Sequence, residues 1–195
     1  MYRVLEDQEL VRLIFPLGAI LNSSDNPSLA TSDVASQLEQ AIMIAVKAHS
    51  GQRDKAGAAY VLHVLRVMLV LDDPIAMQAG VLHDVVEDTP TTLEDLSSGG
   101  IHPDACEAVR LLTRESQHSD PIQYAEYVIR ISANPIAKAV KISDLHDNYR
   151  LDRVALRSLH HAEDVHRIQK YVLSYQYLSD QIAVDEYRTR MSSLV

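Results

Sequence analysis

The stretch Leu82-His83-Asp84-Val85-Val86-Glu87-Asp88-Thr89 carries four ionisable side chains at the end of a strongly apolar segment. On a helix, Glu87 follows His83 by four residues and Asp88 follows Asp84 by four, so each carboxylate would lie one turn beyond a potential metal ligand. Three carboxylates at the C-terminal end of a helix oppose its dipole by up to about 1 kcal/mol each. A divalent cation would compensate for them. The alternative is a solvated helix end in which His83 packs in the core.

Two further segments supply residues that suit the same cation. Tyr60-Val61-Leu62-His63 begins an apolar helix and places His63 near its buried N-terminal end, where a lone histidine is more often a packing or capping residue. Asp144 follows a largely apolar run on another helix. An unpaired carboxylate in a core is costly, so Asp144 is expected to bind either a metal or a basic partner, for which Lys141 is placed one turn earlier.

The spacing of apolar residues predicts helices throughout the chain. Apolar side chains recur every three or four residues, and alternating or β-branched runs bounded by turns are scarce. The expected fold class is all-α, a compact bundle of about eight helices. Four helices are predicted to begin at a capping residue followed by proline, at Asp73-Pro74, His102-Pro103, Asp120-Pro121 and Asn134-Pro135.

Other helix boundaries are predicted from periodicity and end signals. One helix is expected over about 75–87, and a long one over about 154–191. The apolar stripe predicted to face inward on the long helix consists of Val165, Ile168, Val172, Tyr175, Leu178 and Ile182. Thr91 with Glu94 three residues later resembles a capping box for a short helix.

The turn-rich segment 22–27 divides the chain into two parts. Residues 1–30 are expected to form a helical extension and linker, and residues 31–195 a catalytic domain. The polar loop 51–59 beside a packed helix is of the kind that often contacts ligand.

The composition sets limits on the class of protein. The chain has 195 residues, of which 47% are hydrophobic, with one cysteine and a formal net charge of −9. A single cysteine excludes an internal disulfide framework, and the acidic start is unlike a secretory signal, so a cytoplasmic protein is expected. The negative charge disfavours a nucleic-acid polymer as a partner, and charged residues interrupt every candidate membrane span. A small phosphorylated ligand remains compatible with a few local cations.

Four motifs in a fixed order resemble the hydrolase domain of the RelA/SpoT alarmone family, an HD-superfamily phosphohydrolase, in its short single-domain form. They are Ala48-His49-Ser50-Gly51-Gln52, Tyr60-Val61-Leu62-His63, the stretch 82–89, and Val140-Lys141-Ile142-Ser143-Asp144. The resemblance implies that His63, His83, Asp84 and Asp144 bind one divalent ion, most often Mn²⁺. Such a mixed nitrogen and oxygen set leaves coordination positions for water and a phosphate oxygen, and the cation lowers the pKa of bound water.

The resemblance also implies an activity and its residues. These enzymes hydrolyse the 3′-pyrophosphate of guanosine tetra- or pentaphosphate and release pyrophosphate with GDP or GTP, and a chain of this length is expected only to degrade the alarmone. Glu87 and Asp88 are the candidate catalytic residues that orient or deprotonate water. The candidate substrate-binding residues are Arg53, Lys55, Lys141, Asn148 and Arg150.

The chain departs from the family pattern where the base is recognised. The arginine that packs on guanine in the family is replaced by Asp54, which forfeits a cation–π contact of about 0.5 to 2 kcal/mol unless Arg53 substitutes for it. The family sequence Ala-Asp-Arg-Leu-His-Asn becomes Ser143-Asp144-Leu145-His146-Asp147-Asn148. Two alternatives stay open: an HD phosphohydrolase for another nucleotide, such as a nucleoside monophosphate, or a catalytically silent nucleotide-sensing module. A homodimer through the C-terminal helix is a further open alternative.

Overall fold

The computed structural model describes residues 27–55, 57–114, 120–150 and 161–194, so most of the predicted N-terminal extension lies outside the described residues. Within these ranges every element longer than an isolated bridge is a helix, and eight of the helices have nine or more residues, which confirms the all-α bundle. They are α1 (Pro27–Ala48), α2 (Val61–Leu69), α3 (Pro74–Leu82), α4 (Val85–Asp88), α5 (Leu93–Ser98), α6 (Pro103–Leu112), α7 (Pro121–Ser132), α8 (Pro135–Asn148), α9 (His161–Leu178) and α10 (Val184–Ser192).

All four predicted starts with proline are confirmed. Helices α3, α6, α7 and α8 each have proline in the first turn and a side chain that accepts a hydrogen bond from a backbone N–H of that turn. Proline at this position costs no hydrogen bond of the helix, because the first N–H groups of a helix have no partner within the helix. The capping residues are Asp73, His102, Asp120 and Asn134.

The centre of the bundle is α3, which packs against α1, α2, α6 and α8. It is apolar on all sides, as expected for a helix surrounded by others. Gly80 allows α2 to approach closely, because a Cβ atom at this position would lie 2.7 Å from Leu71 Cδ1 and 3.3 Å from the Met68 Cα. The close approach lies between the last turn of α3 and the C-terminal end of α2.

The helix predicted over 75–87 is wrong in one respect, because it breaks at His83 and Asp84. Helix α3 ends at Leu82 and the short α4 begins at Val85. The His83 Nδ1 lies 2.8 Å from the Gly80 carbonyl oxygen, a group that the backbone of a continuous helix would use. His83 and Asp84 nevertheless keep right-handed helical dihedral angles, so the break interrupts the helix without reversing the chain.

The helical stretch predicted over 154–191 is wrong as a single helix, and its residues 154–160 lie outside the described residues. Helix α9 ends at Leu178 and α10 begins at Val184, since Asp180 adopts a left-handed conformation with φ 58° that ends the helix. The predicted inward stripe is wrong at Val165 and Val172, which are 54% and 40% exposed, whereas its member Leu178 is buried.

Two smaller observations complete the fold. The capping box of α5 is formed by Thr92 and Asp95 rather than by Thr91 and Glu94, one residue later than predicted. None of the helices in the described ranges has the length and apolarity needed to cross a bilayer.

Candidate metal centre and active site

Side chains from three helical segments converge on one buried point. Donor atoms of His63 on α2, His83 after α3 and Asp144 on α8 all lie within 4.8 Å of one another. Each of the three residues is at most 5% exposed. The Asp84 carboxylate joins them, with Oδ2 3.0 Å from His83 Nε2 and 3.6 Å from His63 Nε2. The structure thus brings together all four residues predicted as ligands.

The two imidazoles present the same nitrogen to this point. The Nδ1 of His83 is 2.8 Å from the Gly80 carbonyl oxygen, which can only accept, so Nδ1 carries the proton. The Nε2 of His83 is buried and forms no hydrogen bond of good geometry among the described residues, although Asp84 Oδ2 lies 3.0 Å away. An orphaned buried nitrogen is costly unless it binds something. Two imidazole nitrogens with two carboxylates fit a divalent transition-metal ion.

Both carboxylates are held by donors from outside the cluster. The Asp144 Oδ2 accepts from Lys141 Nζ at 2.7 Å, and its Oδ1 accepts from Asn148 Nδ2 at 2.5 Å. The Tyr60 hydroxyl donates to Asp84 Oδ2 at 2.5 Å. Lys141 is therefore the basic partner that the sequence offered for Asp144, and it lies beside the cluster as well.

The electrostatics of the cluster attract positive charge. Burial opposes ionisation of Asp144, but Lys141 and the two histidines outweigh it and hold the pKa of this carboxyl well below its usual range. Burial likewise opposes protonation of His83, yet Asp84 and Asp144 raise the pKa of that imidazole to about 9. Anions that raise a buried imidazole pKa in this way also favour a bound cation at the same point.

The two candidate catalytic carboxylates lie in different surroundings. Glu87 is bound by Arg114, whose Nη2 donates to Oε1 at 2.5 Å and whose backbone N–H donates to Oε2 at 3.0 Å. Asp88 is more exposed, and partial burial together with Asp84 and Glu87 raises the pKa of its carboxyl. Both residues line the same cavity as Asp84 and Asp144.

A short series of hydrogen bonds connects the end of α4 to His49, the residue after α1. The His49 ring is buried, and its Nδ1 lies 2.8 Å from Gln52 Oε1. The Gln52 amide then donates to the Asp88 backbone carbonyl at 3.1 Å. These contacts fix the C-terminal end of the short helix that carries Glu87 and Asp88.

The cluster opens into a cavity of about 330 Å³, the size of a small-ligand site. One part of its wall is aromatic, formed by Tyr124, Tyr127 and Tyr171. Its cationic lining residues are Arg53, Lys55, Arg114, Lys141 and Arg167. Five carboxylates line the same cavity, from Asp54, Asp84, Glu87, Asp88 and Asp144, so the lining is balanced in formal charge and offers a phosphorylated ligand several local cations.

Four of the five predicted substrate-binding residues line this cavity, and the fifth does not. Arg53, Lys55, Lys141 and Asn148 are lining residues. The Arg150 guanidinium lies instead 3.9 Å from Asp147 Oδ1 and is about half exposed.

Hydrogen bonds between its own residues stabilise the loop before α2. The Asp54 N–H donates to the Ala58 carbonyl at 2.8 Å, and the Ala58 N–H donates to Asp54 Oδ1 at 3.0 Å. The Arg53 Nη1 donates to the Gly57 carbonyl at 2.9 Å. Asp54 thus stabilises the loop at the position where the resembled family has its base-packing arginine.

Three residues of the site were missed from the sequence. Tyr60 was quoted only as part of a motif, yet its hydroxyl binds Asp84. Arg114 reaches the cavity from the residues after α6, and Arg167 reaches it from α9. Tyr60 adjoins a predicted ligand motif and could have been found there, whereas no local pattern singles out the two arginines.

Comparison with known proteins gives several relatives, although no family model matches the chain. A GTP pyrophosphokinase of Streptomyces coelicolor is 32% identical over 155 residues, covering 73% of this chain and 18% of that protein. A guanosine-3′,5′-bis(diphosphate) 3′-pyrophosphohydrolase of Aquifex aeolicus is 29% identical over 121 residues, covering 58% and 17%. The bifunctional (p)ppGpp synthase/hydrolase SpoT of Escherichia coli is 38% identical over 68 residues, covering 33% and 10%. The chain therefore spans less than a fifth of the length of these relatives.

One solved structure has a similar fold over nearly the whole chain. It is described as a metazoan orthologue of SpoT that hydrolyses ppGpp, and it aligns with a TM-score of 0.55, covering 90% of this chain and 96% of that one. The identity is 21%, so this likeness concerns the fold alone.

Proposed function

Since the chain is a homologue of SpoT-type proteins with an HD-type, RelA/SpoT hydrolase-like domain, we propose that it is a metal-dependent phosphohydrolase. Its proposed substrate is guanosine tetra- or pentaphosphate, hydrolysed at the 3′-pyrophosphate. Water attacks phosphorus, the bond between that phosphorus and the 3′ oxygen breaks, and pyrophosphate leaves with GDP or GTP as the other product.

The observation that carries this proposal is the convergence of His63, His83 and Asp144, with Asp84 beside them. In this proposal the four residues hold one divalent ion, with Mn²⁺ as the first choice. When bound, the ion supplies Lewis-acid polarisation of a phosphate oxygen and lowers the pKa of water.

Proton transfer is assigned to the acids at the end of α4. Glu87 and Asp88 line the cavity beside Asp84, where a carboxylate can orient water and accept its proton. Arg114 fixes the Glu87 carboxylate through two hydrogen bonds, so its orientation is set before substrate arrives. Asp88, with the raised pKa, is better suited to carry a proton to the leaving 3′ oxygen.

Substrate phosphates are assigned to the cationic lining of the cavity. Lys141 is buried next to Asp144 and is oriented by the Tyr124 and Tyr127 rings, whose centroids lie 5.9 and 5.6 Å from its Nζ. Lys55 and Asn148 reach the cavity from the loop and from the end of α8. Arg53 is assigned to the base, and Arg150 remains a proposed contact at the rim.

The test is a product assay with controlled metal content. Protein purified with chelator and reloaded with Mn²⁺ is expected to release one pyrophosphate per guanosine tetraphosphate, and the chelated protein is expected to be inactive. Binding of the alarmone without turnover by the Mn²⁺-loaded protein would instead support the silent sensing module.

One observation favours a second candidate, a phosphohydrolase for another nucleotide. The Asp54 carboxylate is built into the loop through its bond with Ala58, so this loop does not present the base-packing arginine of the resembled family at that position. A panel of nucleoside mono-, di- and triphosphates assayed beside the alarmone separates the candidates. A higher kcat/KM for a nucleoside monophosphate would replace the first substrate with the second and leave the metal centre intact.

A further inference from the structure

We propose that Asp147, anchored by Arg66, is a positioning residue that fixes His63 with its proton on Nδ1 and its Nε2 directed into the candidate metal centre. The inference rests on the proposed metal-dependent function. It adds Asp147 and Arg66, neither of which is among the residues predicted for the site. Asp147 also occupies the position at which the resembled motif has histidine.

The geometry begins at the far side of the His63 ring. Its Nδ1 lies 2.7 Å from Asp147 Oδ2, while its Nε2 lies 3.3 Å from Asp144 Oδ1 on the opposite edge. An ionised carboxylate only accepts hydrogen bonds, so Nδ1 must be the donor. The lone pair of the neutral ring then resides on Nε2, which faces the cluster.

Arg66 makes the Asp147 carboxylate rigid. Arg66 lies one turn after His63 on α2, so the side chains of Arg66 and His63 emerge from the same face of the helix. Its Nε donates to Oδ1 at 2.5 Å and its Nη2 donates to Oδ2 at 2.9 Å. Such a two-point contact fixes the plane of a carboxylate as well as its position.

The burial of Asp147 indicates why the arginine is needed. The Asp147 side chain is 6% exposed, and the carboxyl has a pKa well below its usual value because His63 and Arg66 outweigh the effect of burial. A buried carboxylate that only oriented a histidine would be costly without a cationic partner. Arg66 is 33% exposed and supplies that charge from the surface.

The two histidines of the centre are therefore oriented by different means. The His83 Nδ1 donates to a backbone carbonyl, which no side-chain substitution removes. The His63 Nδ1 donates to a side chain, so its orientation depends on residue 147. Partners that orient a metal-binding histidine typically change metal affinity by about 10- to 100-fold when they are removed.

The experiment measures metal affinity rather than activity. Asp147→Asn is expected to weaken Mn²⁺ binding, followed by isothermal titration calorimetry, by about 10- to 100-fold. The double variant Asp147→Asn/Arg66→Gln removes both charges of this pair, while Arg150, 3.9 Å from Asp147 Oδ1, is about half exposed and can turn to solvent, so the same loss is expected. Lys138→Gln, on the same helix and paired with Asp180 away from the centre, is the control and should bind as the wild type does.

A spectroscopic readout separates orientation from general structural damage. In Zn²⁺-loaded protein labelled with ¹⁵N-histidine, the Nδ1 proton of His63 should give a downfield, exchange-protected signal, and Asp147→Asn should shift it upfield. The corresponding His83 signal should stay in place. Unchanged Mn²⁺ affinity and an unchanged His63 signal in both Asp147 variants would overturn the inference. Failure of the wild type to bind Mn²⁺ or Zn²⁺ would instead refute the proposed metal centre.

Discussion

The candidate metal centre and the loop 51–59 lie side by side on one cavity, but they are built in opposite ways. The centre draws His63, His83 and Asp144 from helical segments that pack on one another, and each side chain is nearly inaccessible. The loop exposes Arg53 and Lys55 and is closed by hydrogen bonds between its own residues.

This difference indicates that helix packing fixes the metal ligands, whereas the side chains of the loop can be exchanged. Moving a ligand of the centre disturbs helix packing and buried charge. A change in the metal ligands therefore also affects the stability of the fold. Exchanging an exposed loop side chain costs little stability, because surface substitutions usually change it by less than about 0.5 kcal/mol. Substrate preference can therefore change in the loop while the metal chemistry stays the same.

The largest effect is expected from Asp144→Ala. Loss of this ligand should abolish Mn²⁺ binding, and the buried Lys141 left without its partner should lower the free energy of unfolding by about 3 to 5 kcal/mol. The double variant Asp144→Ala/Lys141→Met should recover much of the stability but none of the Mn²⁺ binding. Urea unfolding and calorimetric titration measure the two effects, and metal binding by the double variant would contradict the assignment of Asp144.

Next in size is the effect of removing an acid that borders the centre. Glu87→Gln and Asp88→Asn should each lower kcat by about 10²- to 10⁴-fold, because each removes a proton-transfer group while the ligands stay in place. Mn²⁺ content by atomic absorption should remain at one ion per chain. The matched control is Glu107→Gln, which loses an exposed ion pair with Arg110 and should keep full activity. Full turnover by both acid variants would remove their catalytic assignment.

A smaller effect is expected in the loop. Asp54→Arg restores a guanidinium at the base position and should raise affinity for a guanine nucleotide by about 0.5 to 2 kcal/mol, or roughly 2- to 30-fold. Glu94→Arg on α5 makes the same charge change and should have no effect on nucleotide binding. Competition of GDP against ADP measures the preference. An equal gain for inorganic pyrophosphate, which has no base, would indicate added positive charge rather than base packing.

The smallest predicted effect concerns stability and pH in the metal-free protein. Asp88 has a raised pKa in the folded state, so it binds its proton more tightly there, and its ionised form destabilises the fold above that pKa. Asp88→Asn should therefore be more stable than the wild type at pH 7 in chelator, by less than about 1 kcal/mol at this exposed position. The difference should shrink as the pH falls through the raised pKa and vanish below the ordinary value of 3.8. Urea unfolding across this range is the measurement, and a constant difference would rule out the charge explanation.

The order of the motifs and the proline-bounded helix starts were determined by the sequence alone. An N-cap and the proline after it act within one turn, so Asp73 and Asn134 could be identified without knowing what packs nearby. The ligand set His63, His83, Asp84 and Asp144 was predicted through the resemblance of the four ordered motifs to a known family, since His63 and Asp144 taken alone each had a structural alternative.

Only the tertiary structure decided the partners of these residues. Tyr60 meets Asp84 across 24 residues, Arg114 meets Glu87 across 27, and Asp147 meets His63 across 84. Such pairs depend on which helix faces come together, and no local pattern encodes that choice.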